Sequence, residues 1–431
     1  MHGAGHAADA VHKKKGIRIR AAAQQQSGTA HSFSGRQRLY QTGRYRKKPE
    51  HENHMLDLFL VIFLCSLYGY IIQSRSNKYG SVLLGVRRDG QAKLFYVLIL
   101  ITVILFAGLR TTNNDTSTYM DAFIKLDIDE IHISTLFESY GGFELYQKLI
   151  KKYISEDPQV MIFLSAVIEN ALLLRFLRRH TKSFGPTMFF FMIGNFIFGM
   201  AAIKQVIAMA ISTLAIDAMM EKHYIRALIW LLIAMTFHPY IICLVVLLFL
   251  RREPWKANTV VITILIFACA ASLTFVLNFA GIVGQEYSTD TMTDHTINPF
   301  RVAIEAIPIV IAFLFRNRIQ KQGDRWLNLG INMMIVDFLF SVISLFYNPI
   351  YFARVGNYFN TMSAIATPLM LRYAFGYTRS GRILRGGYYV LFSIYFLLDM
   401  TSLGTVSILH DNYNHTTIMN LLQAFGLFAE S

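Results

Sequence analysis

The chain has 431 residues, of which 54% are apolar and only 16% charged. A soluble domain carries about 25% charged residues, so the composition excludes a soluble enzyme. The net charge of +14 does not mark a nucleic-acid partner, because residues 1–54 alone hold eleven Lys/Arg against three Asp/Glu, a net of +8, and the remaining 30 basic and 24 acidic residues leave +6 for residues 55–431.

Residues 1–54 are polar, basic and rich in Gln, Gly, Ser and His. They hold too little apolar surface to fold alone and lack the apolar core of a signal peptide. They read as a disordered basic leader, or as an N-terminal extension ahead of a true start at Met55. Residues 55–431 form the membrane domain. A run of about 20 apolar residues spans a bilayer as a helix, and a spanning barrel would need alternating polar residues. Neither face of these segments alternates, so they are helices.

Twelve helices are expected, near 56–73, 92–109, 159–177, 187–198, 202–220, 224–237, 239–250, 258–280, 300–316, 326–346, 354–372 and 387–404. The fold class is therefore all-α, a polytopic integral membrane protein with 11–12 transmembrane or re-entrant helices. Short loops rich in Lys/Arg stay cytoplasmic. Arg75, Lys78, Arg87, Arg88 and Lys93 mark the first such connection, Arg178, Arg179 and Lys182 the next, and then Lys222/Arg226, Arg251/Arg252/Lys256, Arg316/Arg318/Lys321/Arg325 and Arg372/Arg379/Arg382/Arg385. The loops 110–158 and 281–299 face outward, and both chain ends lie outside. That topology places the basic leader on the outer side, against the charge rule, and a start at Met55 removes the conflict.

Two segments break the pattern. Residues 187–198 give only about 18 Å of helix at 1.5 Å per residue, short of the roughly 30 Å core. The stretch 224–250 has basic flanks at both ends and His238-Pro239 in its centre. Proline lacks an N–H and disfavours helix at the residue before it. The stretch reads as a helical hairpin with its tip at His238, partway through the membrane.

Ionisable residues at bilayer depth cost about 2.5–3.5 kcal/mol on insertion scales, so those present invite a role. Lys204 and Gln205 open a helix on the outer side, as a phosphate-binding cation or a snorkelling anchor. His238 is a general base, a hydrogen-bond donor or a helix cap. Arg301 and Glu305 share a helix face. Glu169 and Asp337 lie mid-span as buried acids, and Arg354 follows the aromatic loop 347–352. The outer loop 110–158 is too long for a simple connector and carries Arg110, Asp115, Tyr119 and Glu144, with an amphipathic helix over 143–154. Arg110, Asp115, Lys204, His238, Arg301 and Arg354 all fall on the outer side and describe an outward-open, partly cationic cavity. Cys65, Cys243 and Cys269 lie in apolar runs and form no disulfide or metal set. No glycine-rich nucleotide loop is present, and no metal or cofactor is expected.

Several of these features occur together in one family. Arg110, Asp115 and Tyr119 follow the second helix. Phe137-Glu138 and Gly142-Phe143-Glu144-Leu145 come next, then Lys204-Gln205-Val206-Ile207-Ala208, Phe237-His238-Pro239, and Arg354 with Tyr358. In order and spacing, over about residues 55–375, they resemble the EpsG/Wzy-type polysaccharide polymerases. Lys204 stands where that family usually has arginine, keeping the charge but losing the bidentate fork. The resemblance implies a fold similar to GT-C-type glycosyltransferases in the bacterial inner membrane. It implies lipid-linked oligosaccharide on undecaprenyl diphosphate as substrate, with chain-length regulator and flippase proteins as partners. The implied catalytic residues are His238 and Asp115. Substrate binding falls to Arg110, Tyr119, Glu144, Lys204, Gln205, Arg301, Arg354 and Tyr358. The leading alternative is a flippase or transporter of lipid-linked oligosaccharides, since broken helices are common in transporters.

Overall fold

The computed structural model describes residues 55–78, 90–128, 132–272, 276–278, 281, 296–400 and 415–428. The leader 1–54, the connection carrying Arg87 and Arg88, and most of the expected outer loop 281–299 lie outside the described residues. Those described are helical, with no strand among them.

The helices in chain order are α1 (Met55–Lys78), α2 (Gly90–Gly108), α3 (Thr116–Lys125), α4 (Gly141–Tyr153), α5 (Pro158–His180), α6 (Phe184–Ala201), α7 (Ile203–Met220), α8 (Tyr224–Phe237), α9 (Pro239–Leu250), α10 (Ala257–Ala271), α11 (Pro299–Leu314), α12 (Arg316–Gln320), α13 (Arg325–Ile343), α14 (Phe352–Phe359), α15 (Ser363–Phe375), α16 (Arg379–Leu398) and α17 (Ile418–Ala424). Six of them, α1, α2, α5, α6, α7 and α13, are long and apolar enough to cross a membrane. The protein is a polytopic all-α membrane protein. Helix α7 is the most enclosed of the six, with α5 and α8 packed against it.

Three expectations need correction. The segment read as 187–198 is an 18-residue helix, Phe184–Ala201, about 27 Å long and close to a full crossing. Its middle, Phe191–Phe196, is a π-helical turn, and Gly185 and Pro186 lie in its first turn. Gly185 lets α6 approach α1, since a Cβ there would lie 2.7 Å from the Tyr70 ring. Residues 354–372 form two helices, α14 and α15, joined by a 3₁₀ turn at Asn360–Met362. The last expected helix, 387–404, begins earlier, at Arg379, because the Thr378 hydroxyl caps it by accepting from the Gly381 N–H at 3.1 Å.

Charged and polar side chains tie the helix ends together. At the basic end Arg178 stacks over the Tyr96 ring at 4.3 Å. Arg179 pairs with Asp217 at 3.1 Å and Glu221 at 2.6 Å, and Lys182 with Asp324 at 2.8 Å. Gln320 donates to the Pro254 carbonyl at 2.8 Å. At the opposite end Gln159 donates to the Gly108 carbonyl at 2.7 Å, and the Ile297 N–H to the Ser344 carbonyl at 2.9 Å.

The stretch 224–250 is a hairpin. Arg251 donates to the Tyr224 hydroxyl at 2.6 Å, so the first residue of α8 and the residue after α9 meet at the basic end. Arm α8 has 14 residues and α9 only 12, of which Pro239–Val246 are 3₁₀. The larger rise of the 3₁₀ turns, about 2.0 Å against 1.5 Å per residue, brings both arms to roughly 21–22 Å. His238, extended at φ −148°, ψ 109°, is the tip. Cysteines placed at His223 and Arg252, in a background lacking Cys65, Cys243 and Cys269, should both react with an impermeant thiol reagent from the same cytoplasmic side. Labelling from opposite sides would show a complete crossing instead.

Candidate functional site

The hairpin tip is where the outer segment, α7 and α14 meet. Tyr358 on α14 is almost fully buried, and its hydroxyl is hydrogen-bonded to His238 Nδ1. Among the described residues that hydroxyl has no other hydrogen-bond partner, and a buried O–H without an acceptor is costly. Tyr358 therefore donates, which assigns the His238 proton to Nε2, a donor. The Tyr140 ring lies edge-on to His238, with centroids 5.3 Å apart.

Tyr140 is a site residue that the motif reading passed over. It sits just before α4 in the left-handed region, at φ 61°, ψ 16°, a conformation costing a non-glycine residue about 1–2 kcal/mol. Such strain collects at functional sites. The signal in the sequence was Tyr140-Gly141-Gly142. Gly142 lets α4 close on the tip, because a Cβ there would lie 2.1 Å from Thr236 Oγ1. Tyr240 is a second omission, with its ring 6.0 Å from that of His238.

Lys204, second residue of α7, points its ammonium at three rings: Tyr140 at 4.3 Å, Tyr119 at 5.8 Å and Phe143 at 5.8 Å. An aromatic cage holds a cation by the ring quadrupoles. Asp115 precedes α3 without capping it and interacts with both Lys204 and Tyr119. Burial, reinforced by Asp115, pushes the Tyr119 hydroxyl up to about 12. Lys151 ties the outer helices together, donating to the carbonyls of Phe123, Ile124 and Leu126 at 3.0, 2.7 and 2.6 Å, where a cation suits the C-terminus of α3.

Arg354 is the other cation. With Lys204 it lies within electrostatic range of His238. Gln205 is buried, and its Nε2 donates to the Arg354 carbonyl at 2.6 Å. Gln205 thus fixes the α14 backbone and leaves contact with the cavity to Arg354. A cavity of about 530 Å³ opens from this point, with Tyr140, His238, Tyr240, Tyr351, Arg354 and Tyr358 at its polar end and apolar side chains of α9 and α10 along its walls.

Three expected binding residues lie elsewhere. Arg110 is fully buried, at 0% exposure, and its guanidinium donates to Thr116 Oγ1 at 3.2 Å and to the Ala107 carbonyl. Its backbone bridges to His415, so it pins the chain end against the outer loop and does not line the cavity. Arg301 pairs with Glu305 at 3.3 Å and Asp399 at 3.7 Å. Asp337 interacts with Arg301 and Glu305. Glu144 pairs with Lys148 at 2.8 Å on α4. Sidedness grouped Arg110 and Arg301 with the others, and the family motifs added Glu144. Glu169 is buried on α5 within range of Arg110.

The sequence model of the EpsG family matches residues 93–414, well over half of the chain and every residue of this cluster. The chain belongs to the EpsG family. Membership in the EpsG family supports a role in polysaccharide biosynthesis, and with the six spans it fits a multi-pass membrane protein acting on a lipid-linked sugar. No curated protein and no solved structure matches the chain.

Overpacking a tight contact costs about 1–3 kcal/mol, so Gly142→Ala should lower thermal stability by that order and activity by at least about tenfold at matched protein levels. Wild-type activity would mean that the contact between α4 and the tip is dispensable. Because Tyr119 ionises only near pH 12, it is neutral at any working pH. Tyr119→Phe should leave the shape of the pH–activity profile unchanged between about pH 6 and 9; a shifted limb in that range would contradict this.

Proposed function

We propose that the chain is a polysaccharide polymerase, a glycosyltransferase at the outer face of the bacterial inner membrane. It joins oligosaccharide units carried on undecaprenyl diphosphate, in the synthesis of an exopolysaccharide, capsule or O-antigen. Chain-length regulator and flippase proteins are its proposed partners, and kinship with GT-C-type enzymes is part of the same reading. The observation that carries it is a pair of held cations, Lys204 and Arg354, beside His238 at the polar end of an apolar cavity.

The chemistry follows from those positions. The acceptor hydroxyl oxygen bonds to the anomeric carbon of the donor glycan as the bond from that carbon to the diphosphate breaks. The hydroxyl proton passes to Asp115, and lipid diphosphate leaves with the electron pair. Negative charge grows on the leaving group, where preorganised cations and donors act most strongly. Arg354 and the His238 Nε2–H are placed to meet it, and Lys204 adds its field from inside the cage. Tyr358 keeps His238 in the donating tautomer. With that tautomer Asp115, not His238, is the base.

Losing one such contact typically costs about 2.7–4 kcal/mol, or 100- to 1,000-fold. Lys204→Ala and Arg354→Ala should therefore abolish long chains, with single units accumulating on the lipid carrier. Lys204→Arg should retain activity, and Arg354→Lys should be intermediate, as a bidentate grip becomes a point contact. His238→Gln, which keeps a donor near Nε2, should outperform His238→Asn. The assay is chain length by gel at matched protein levels. Wild-type chains in Lys204→Ala and Arg354→Ala would overturn the proposal.

A further inference from the structure

The long walls of the cavity face nothing that a sugar would bind. From His238 the cavity runs along α9 past Ile242 and Val246 to Phe249, and along α10 past Ile266. By the rise of the 3₁₀ and α turns, His238 to Phe249 spans about 20 Å, most of the depth of the hydrocarbon core. Its polar groups are gathered at the His238 and Arg354 end. At the flank of the bundle its rim is apolar and exposed: Phe249 and Leu265 are each 58% exposed. In a membrane such a rim meets lipid and not water.

A cation at one end of a long apolar slot, open sideways to the bilayer, matches a membrane amphiphile with an anionic head and a hydrocarbon chain. We infer that the cavity between α9 and α10 holds the polyisoprenyl chain of the donor lipid diphosphate, which slides in laterally and brings its head group to Arg354. This rests on the polymerase reading for the identity of the lipid. Placement of the chain beside the hairpin also gives the broken arm a purpose. The 3₁₀ winding of Pro239–Val246 lines the slot with Ile242, Cys243 and Val246, each partly buried.

Two native thiols report on occupancy. Cys243 and Cys269 both line the cavity, whereas Cys65 is fully buried elsewhere, on α1. The full chain, in phosphatidylcholine nanodiscs, is treated with a membrane-permeant maleimide, and modification of each cysteine is followed by mass spectrometry. A polyprenyl diphosphate should slow modification of Cys243 and Cys269 at least about fivefold and leave Cys65 unchanged. Inorganic diphosphate should give no protection. Val246→Trp and Ile266→Trp, which fill the slot, should raise the concentration of polyprenyl-diphosphate-linked oligosaccharide needed for half-activity more than they lower the maximal rate.

Equal protection by phosphatidic acid would overturn the isoprenoid assignment in favour of any anionic lipid. No protection, with chain growth still lost in Arg354→Ala, would place the lipid chain elsewhere and leave the polymerase reading standing. Protection together with wild-type chain growth in Arg354→Ala and Lys204→Ala would keep the lipid slot and remove the polymerase reading.

Discussion

Pro239 has no N–H to offer and disfavours helix at His238, so the chain cannot cross the bilayer in one piece between Tyr224 and Leu250. A backbone broken at membrane depth is tolerated only inside protein or water. The tip satisfies its own main chain first: the His238 N–H donates to Ala234 at 3.1 Å, and the Ile241 N–H to His238 at 3.2 Å. The His238 side chain then has to be enclosed, and Tyr140, Tyr240 and Tyr358 enclose it. The arms, at about 21–22 Å, stop short of a roughly 30 Å core. The outer segment comes in to meet the tip, with Gly142 against Thr236.

The same enclosure holds Lys204, while Arg354 stands exposed beside it. Lysine and arginine at this depth are costly, and each is offset differently. Lys204 takes three ring faces and the field of Asp115. Arg354 sits at the mouth of a cavity, with its main chain held by Gln205. In both, charge is kept without being neutralised by a direct ion pair among the described residues. Arg301 and Arg179 show the contrast: both are tied to carboxylates, and both hold helices together.

Much of the fold was legible in the sequence because its driving pattern is local. Most of the apolar segments stood out by composition, and basic residues marked the connections between many of them. The hairpin was readable from Pro239 and two basic flanks. The errors came where local signals mislead. Gly185 and Pro186 open a helix ahead of its expected start, and Gly185 lets it pack against α1. Arg379, Arg382 and Arg385 looked like a loop, yet Thr378 caps a helix that contains them. Of the site, Lys204, His238 and Arg354 were legible as polar residues in or beside apolar segments, and Tyr358 only through the family motif. Arg110 and Arg301 were legible in the same way and Glu144 through the motif, and the structure pairs them elsewhere. Tyr140 was missed because a tyrosine in a loop carries no periodic signal.

The sequence by itself determined the class of protein, all-α and polytopic, and the order of most of its apolar segments. Those properties depend on how many consecutive residues tolerate hydrocarbon, which is read along the chain. Only the tertiary structure decided which outer polar residues share a site. Lys204, His238 and Arg354 lie on three elements separated by dozens of residues. Their meeting depends on a tyrosine in the left-handed region, a glycine that admits a neighbouring threonine, and a glutamine bond to a distant carbonyl. Contacts of that kind are set by packing between helices, and no spacing within one helix encodes them.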